Sequence, residues 1–187
     1  MTDVVKKVLR ECGSNIPLGI KENCTEVFDF TCEKFSQEQI QGIINGLEDD
    51  SEAIYGIFLK SNNDIVKLKA IKKIHNSDFL KEIVLGVCDC GNFVKMKAIE
   101  QIEDKELLKE LLKVKAIYER SCFLYKLSEK FEDKDLYEII TSDSYNIRAK
   151  LFFVSKIKYK KYLEKIVKES KDSELINEAM FCLNFLE

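Results

Sequence analysis

VKLKAIKKI, residues 66–74, and VKMKAIEQI, residues 94–102, agree at six of nine positions and lie 28 residues apart. Internal similarity at such a period is the signature of a repeat architecture. LINEAMFCL (175–183) keeps the apolar frame and its central Ala, and IKENCTEVF (20–28) is a fainter copy with Cys24 at the centre. In each stretch, positions 1, 5 and 9 are apolar, which lines one face of a helix at i, i+4 and i+8. The small central residue, Ala70, Ala98, Ala179 or Cys24, admits a neighbouring helix at close range.

A second signature follows each clear copy except the last. Two apolar residues, two spacers and two more apolar residues occur as AIYGIF (from 53), FLKEIV (79), LLKELL (107) and YLEKIV (162), with LYEII (136) shortened by one. Starting points 26 to 29 residues apart match the first period. Pairs at i, i+1, i+4 and i+5 make a stripe broad enough to touch two neighbours, so these helices gain burial only when stacked. Between the two signatures lie short polar connectors with residues suited to helix N-caps: Asn76-Ser77, Asn92, Asp104, Asp133, Ser142 to Ser144 and Asp172-Ser173. Ser36 and Gln39 read as a capping box. The pattern predicts about 13 helices: 2–12, 17–35, 37–47, 51–60, 64–75, 78–88, 93–103, 105–113, 115–130, 134–141, 145–157, 161–169 and 173–186. One Pro and seven Gly are too few turn residues for an all-β chain.

The arrangement Asn63-Asp64-Ile65-Val66-Lys67, then Ala70 and Ile74, then Phe79-Leu80 and Ile83-Val84, resembles a short HEAT-like repeat. It is most similar to the compact type of phycobilisome-lyase-like and archaeal HEAT proteins. Asn15-Ile16-Pro17 with Ile20, Lys21 and Cys24 is similar, including the Pro that opens a first helix. The resemblance is clear over 51–187 and divergent over the first 50 residues. It departs from the pattern where Leu127 and Phe153 replace the small central residue. It implies an all-α, right-handed α-solenoid of stacked antiparallel helix pairs, forming a single domain over 1–187. HEAT-like functions are too diverse for the resemblance to imply one.

Composition narrows the function further. The 187 residues are 45% hydrophobic and 34% charged, which excludes a disordered chain. No apolar stretch approaches the roughly 20 residues that span a bilayer. MTDVVKKVLREC at the N-terminus reads as an amphipathic helix without a signal core, which predicts a cytoplasmic protein. Seven irregularly spaced Cys read as reduced thiols. The net charge of −3 sets up no global basic field, but it is uneven. Residues 1–64 carry 6 basic and 12 acidic groups, and residues 65–187 carry 24 and 21.

No catalytic, metal or cofactor residue is expected. His75 is the single His and follows the last apolar position of a first helix, where Asp29, Glu48, Glu103, Glu132, Lys158 and Asn184 stand in other copies. All are polar, so His75 belongs at a solvated helix end rather than in general-base chemistry. Cys88-Asp89-Cys90-Gly91 supplies two thiols where a structural zinc needs four ligands. It reads as a half-buried Cys88 with Gly91 ending the helix. Gly86 and Gly91 lack the Lys-Ser/Thr of a phosphate loop.

Two segments carry binding expectations. Residues 146–171 hold nine basic side chains against Glu164 and Glu169; Arg148, Lys158, Lys160, Lys161 and Lys165 are the candidates, with Tyr159 and Tyr162 interleaved. Basic residues among aromatics fit a phosphate backbone, an acidic protein or the chain's own acidic N-terminal half in another copy. In the last helix, Leu175, Ile176, Ala179, Met180, Leu183 and Leu186 account for an inward face. Phe181 and Phe185 are left opposite, a candidate association surface for a homodimer or a partner. The leading expectation is a non-enzymatic scaffold for protein–protein interaction. Its curved surface would be lined by the spacer residues Lys81-Glu82, Lys109-Glu110, Glu138 and Glu164-Lys165. The alternative is a nucleic-acid-binding solenoid, in the manner of HEAT-like DNA glycosylases, against which the absence of Trp counts.

Overall fold

The computed structural model describes residues 37–47, 49, 52–86 and 89–186. The expected helices 2–12 and 17–35, the Ser36 capping box and the Cys24 copy lie outside the described residues, as does Cys88. The described residues form helices and no strand. They divide into two compact units, one ending at Gln101 and one starting at Ile102.

The first unit holds α1 (Gln37–Gly46), α2 (Glu52–Lys60), α3 (Asp64–Ile71), α4 (Ser77–Leu85) and α5 (Asn92–Gln101). Here α2 packs on α3 and α4 on α5, while α1, α3 and α5 pack in turn on one another. In the second unit are α6 (Lys105–Leu111), α7 (Lys115–Tyr118), α8 (Ser121–Ser128), α9 (Asp133–Thr141), α10 (Ile147–Val154), α11 (Lys160–Glu169) and α12 (Ser173–Leu183). The same order recurs: α9 packs on α10, α11 on α12, and α8, α10 and α12 pack in turn, as do α9 and α11. Each unit therefore joins neighbours in sequence and next-but-one neighbours.

The apolar frame dictates this packing. Val66, Ala70 and Ile74, then Val94, Ala98 and Ile102, are all buried. So are Phe123, Leu127 and Phe131, and Ala149, Phe153 and Ile157. Where Phe153 replaces the small central residue, the small residue is Ala149 one turn earlier, and Phe153 meets Phe131 edge-on at 6.4 Å. Large and small have exchanged places along the stripe. In the second signature the inner residues Ile54, Leu80, Leu108, Leu136 and Leu163 are buried, as are Ile57, Ile83, Leu111, Ile139 and Ile166.

Polar side chains then fix one repeat to the next. Lys73 and Gln101 occupy the same frame position. The Lys73 Nζ donates to the carbonyls of Leu47 and Asn45, and the Gln101 Nε2 donates at 2.6 Å to that of Ile71. The Leu47 and Asn45 carbonyls lie at the end of the preceding first helix, and the Ile71 carbonyl also accepts the Ile74 backbone N–H at 2.9 Å. Lys67 is buried, with its Nζ donating to the Asp89 carbonyl and lying 5.5 Å from the Phe58 ring centroid.

Several local expectations are corrected. The single helix expected over 115–130 is two, α7 and α8, because Arg120 is extended (φ −112°, ψ 110°). This lets Ile117 and Phe123 both turn inward. Gly86, not Gly91, ends α4: it adopts φ +89°, the left-handed conformation that glycine enters without a Cβ clash. Asn63, Asn76, Asp104, Asn146 and Asp172 cap their helices through side-chain oxygens, but Asp133 does not. Glu132 is the cap of α9, and the buried Asp133 reaches the next repeat. Its Oδ2 accepts from the backbone N–H of Lys158 at 2.8 Å and of Tyr159 at 2.6 Å, holding the start of α11.

Candidate interaction surfaces

His75 is exposed at the end of the first-helix frame, and its Nε2 lies 3.6 Å from Asp49. Among the described residues, no group of three or more His, Cys, Asp or Glu side chains could hold a metal ion, and no helix is long and apolar enough to cross a membrane. A cleft of about 600 Å³ lies where α9 and α11 end, with Tyr137, Asp143, Lys150, Glu169 and Lys171 in its wall. A second, of about 410 Å³, lies between α3 and α5 against Leu68, Phe93 and Lys97.

Of the spacer residues of the second helices, Glu82, Glu110, Glu138, Glu164 and Lys165 are exposed and Lys81 and Lys109 half-buried, and several bond one helix to another. In the first unit the Tyr55 hydroxyl donates to Glu82, and Tyr55 stacks on Phe79 at 4.1 Å. In the second unit the Lys105 Nζ lies 2.7 Å from Asp135, and Lys109 reaches Glu106 at 2.8 Å and Glu138 at 4.0 Å. Burial pushes the Asp135 carboxyl up, but the hydrogen bonds from Lys105 Nζ and the Glu132 N–H, with the charges of Lys105 and Lys109, outweigh it. The net result is a pKa below the ordinary carboxylate value. The hydrogen bond to Asp135 correspondingly raises the Lys105 ammonium, and the one to Glu106 raises Lys109.

The basic candidates fall on and around α11. Lys158, Lys160, Lys161, Lys165, Lys168 and Lys171 are exposed, as is Arg148 on α10. The interleaved tyrosines carry cations on their own faces. The Lys161 Nζ is 5.7 Å from the Tyr159 ring centroid and 4.8 Å from that of Tyr162, and the Lys165 Nζ is 5.6 Å from that of Tyr137. Tyr162 is half-buried, with its ring 5.5 Å from Tyr137. The Tyr137 hydroxyl donates to Glu169 at 2.6 Å, and this bond, with burial, raises its pKa. Tyr137 was not legible as a surface residue of this kind. Its signal is the repeat offset, which sets α9 beside α11.

At the apolar end, the structure corrects two residues. Met180 and Leu186, expected on the inward face of α12, are 52% and 43% exposed. Only Leu175 and Ala179 of that face are fully buried, with Ile176 and Leu183 half-buried. Phe181 and Phe185 are 58% and 73% exposed, with ring centroids 4.8 Å apart. The frame places α12 with fewer neighbours than α10, so a smaller arc of it is covered. Cys182 sits beside the patch, its thiol pushed up by burial and by the nearby Glu178 carboxylate.

Compared with known protein families, with curated proteins and with solved structures, the chain has no match.

Proposed function

We propose that this chain is a short HEAT-like α-solenoid that works as a non-enzymatic scaffold, binding protein through α12. The solenoid reading is supported by packing between next-but-one helices inside each unit and by bonds such as Gln101 to Ile71, which join residues one repeat apart. The binding reading is carried by one observation: Met180, Phe181, Phe185 and Leu186 together expose apolar surface at one end of α12. Aromatic and Met side chains are enriched in protein interfaces, and adjoining exposed apolar groups mark association sites. The occupant is a second copy of the chain or another protein. A cytoplasmic location belongs to the same reading, supported by Cys122 and Cys182, which stand outside any disulfide.

The test is the double substitution Phe181→Ser/Phe185→Ser. Helicity should be unchanged, while self-association, or capture of the partner that the wild type retains, should be lost. A double variant that loses its helicity would show the two rings to be core and end the reading.

A further inference from the structure

Lysines in the second unit fall into two groups. Before residue 145, Lys105, Lys109, Lys113, Lys115, Lys126 and Lys134 each lie within 4.0 Å of a carboxylate. Beyond it, Lys158, Lys161, Lys165, Lys168 and Lys171 have no carboxylate within that distance among the described residues. One nearby acid, Glu169, is engaged by the Tyr137 hydroxyl. Lys161, Lys165 and Lys168 follow one line of α11, successive members being about 6 Å and about 4.5 Å apart along the axis.

We infer that the exposed edge of α11 is a contact for the phosphate backbone of duplex nucleic acid, made by Lys161, Lys165 and Lys168 and flanked by Lys158 and Lys171. Lysine is depleted from protein–protein interfaces but binds phosphate well as a point charge. A row of ammonium groups with no carboxylate beside them therefore fits a polyanion better than a folded partner. The duplex, rather than a single strand, follows from the tyrosines. A single strand is gripped by stacking bases on aromatic faces, and here Lys161 and Lys165 occupy the faces of Tyr159, Tyr162 and Tyr137. Recognition is independent of base sequence, since lysine ammoniums on phosphates read none. This inference is separate from the α12 reading, and Phe181→Ser/Phe185→Ser should bind duplex as the wild type does.

A short fluorescein-labelled DNA duplex of arbitrary sequence, titrated at low salt, tests it. The wild type should bind with a Kd of about 10⁻⁴–10⁻⁶ M at physiological salt and more tightly below it, and three contacts should give a log–log salt slope of about −2.7. Lys161→Glu/Lys165→Glu/Lys168→Glu should abolish binding with helicity retained. Should that variant fold poorly, Lys168→Gln alone should flatten the slope by about 0.9. Three results would overturn the inference: no binding by the wild type, equal binding by the variants, or tighter binding to oligothymidylate than to duplex. Preference for phosphatidylserine vesicles over duplex would likewise reassign the edge to a membrane surface.

Discussion

The surfaces of α6 and α9 and the surface of α11 are built from the same residue types in the same repeat, yet they are wired differently. Between α6 and α9, the α6 lysines reach carboxylates one repeat away, Lys105 to Asp135 and Lys109 to Glu138. On α11, Lys161 and Lys165 lie over tyrosine rings instead. The difference teaches that a Lys/Glu-rich helical face is not one kind of surface. Where the neighbouring side chain is acidic, the charges stitch helices together; where it is aromatic, the ammonium has no carboxylate to neutralise it.

The sharpest contrast lies between phenylalanines on adjacent helices. Phe153→Ala should cost about 3–5 kcal/mol in urea unfolding, because the ring is buried against Phe131. Phe181→Ala should stay within about 0.5 kcal/mol of the wild type, as an exposed residue does. Equal costs would mean that α12 is covered like α10.

Next in size is Asp133→Ala. It removes the acceptor of two backbone N–H groups at the start of α11 and should destabilise by about 1–3 kcal/mol. Slower amide exchange at Lys158 and Tyr159 in the wild type, lost in the variant, would locate the effect. Gly86→Ala should cost about 1 kcal/mol through the left-handed backbone alone, since the Lys95 ammonium, 2.8 Å from the new Cβ, is a mobile side-chain end. An unchanged melting temperature would contradict it.

The smallest effect is in pH. The folded Asp135 carboxyl titrates below its unfolded value, so its contribution is fully present above the ordinary carboxylate pKa and is lost as pH falls through the folded one. Asp135→Asn should therefore flatten the acid limb of the stability curve. Lys168→Gln on α11 should leave that limb as it is.

Much of this was legible in the sequence. Nine-residue frames repeated at a fixed period determine which side chains face inward, and the described residues at frame positions 1 and 5 proved buried even where Ala149 and Phe153 exchange size. Helix type and order followed where a connector carries a capping residue, such as Asn76 or Asp104. What was hidden depends on contacts between repeats. Asp133 looks like any N-cap until the start of α11 is placed beside it, and the break at Arg120 has no punctuating residue. Met180 and Leu186 sit in an inward register by periodicity, but register gives direction and not cover. Whether a lysine is paired was likewise invisible without its neighbour.

The most direct test of the scaffold account is light scattering of the wild type and of Phe181→Ser/Phe185→Ser at high concentration, followed by affinity capture with both. The account predicts a mass above that of the 21.7 kDa chain, or a retained protein, for the wild type alone, with equal helicity in the two. Two monomers that retain the same proteins would contradict it.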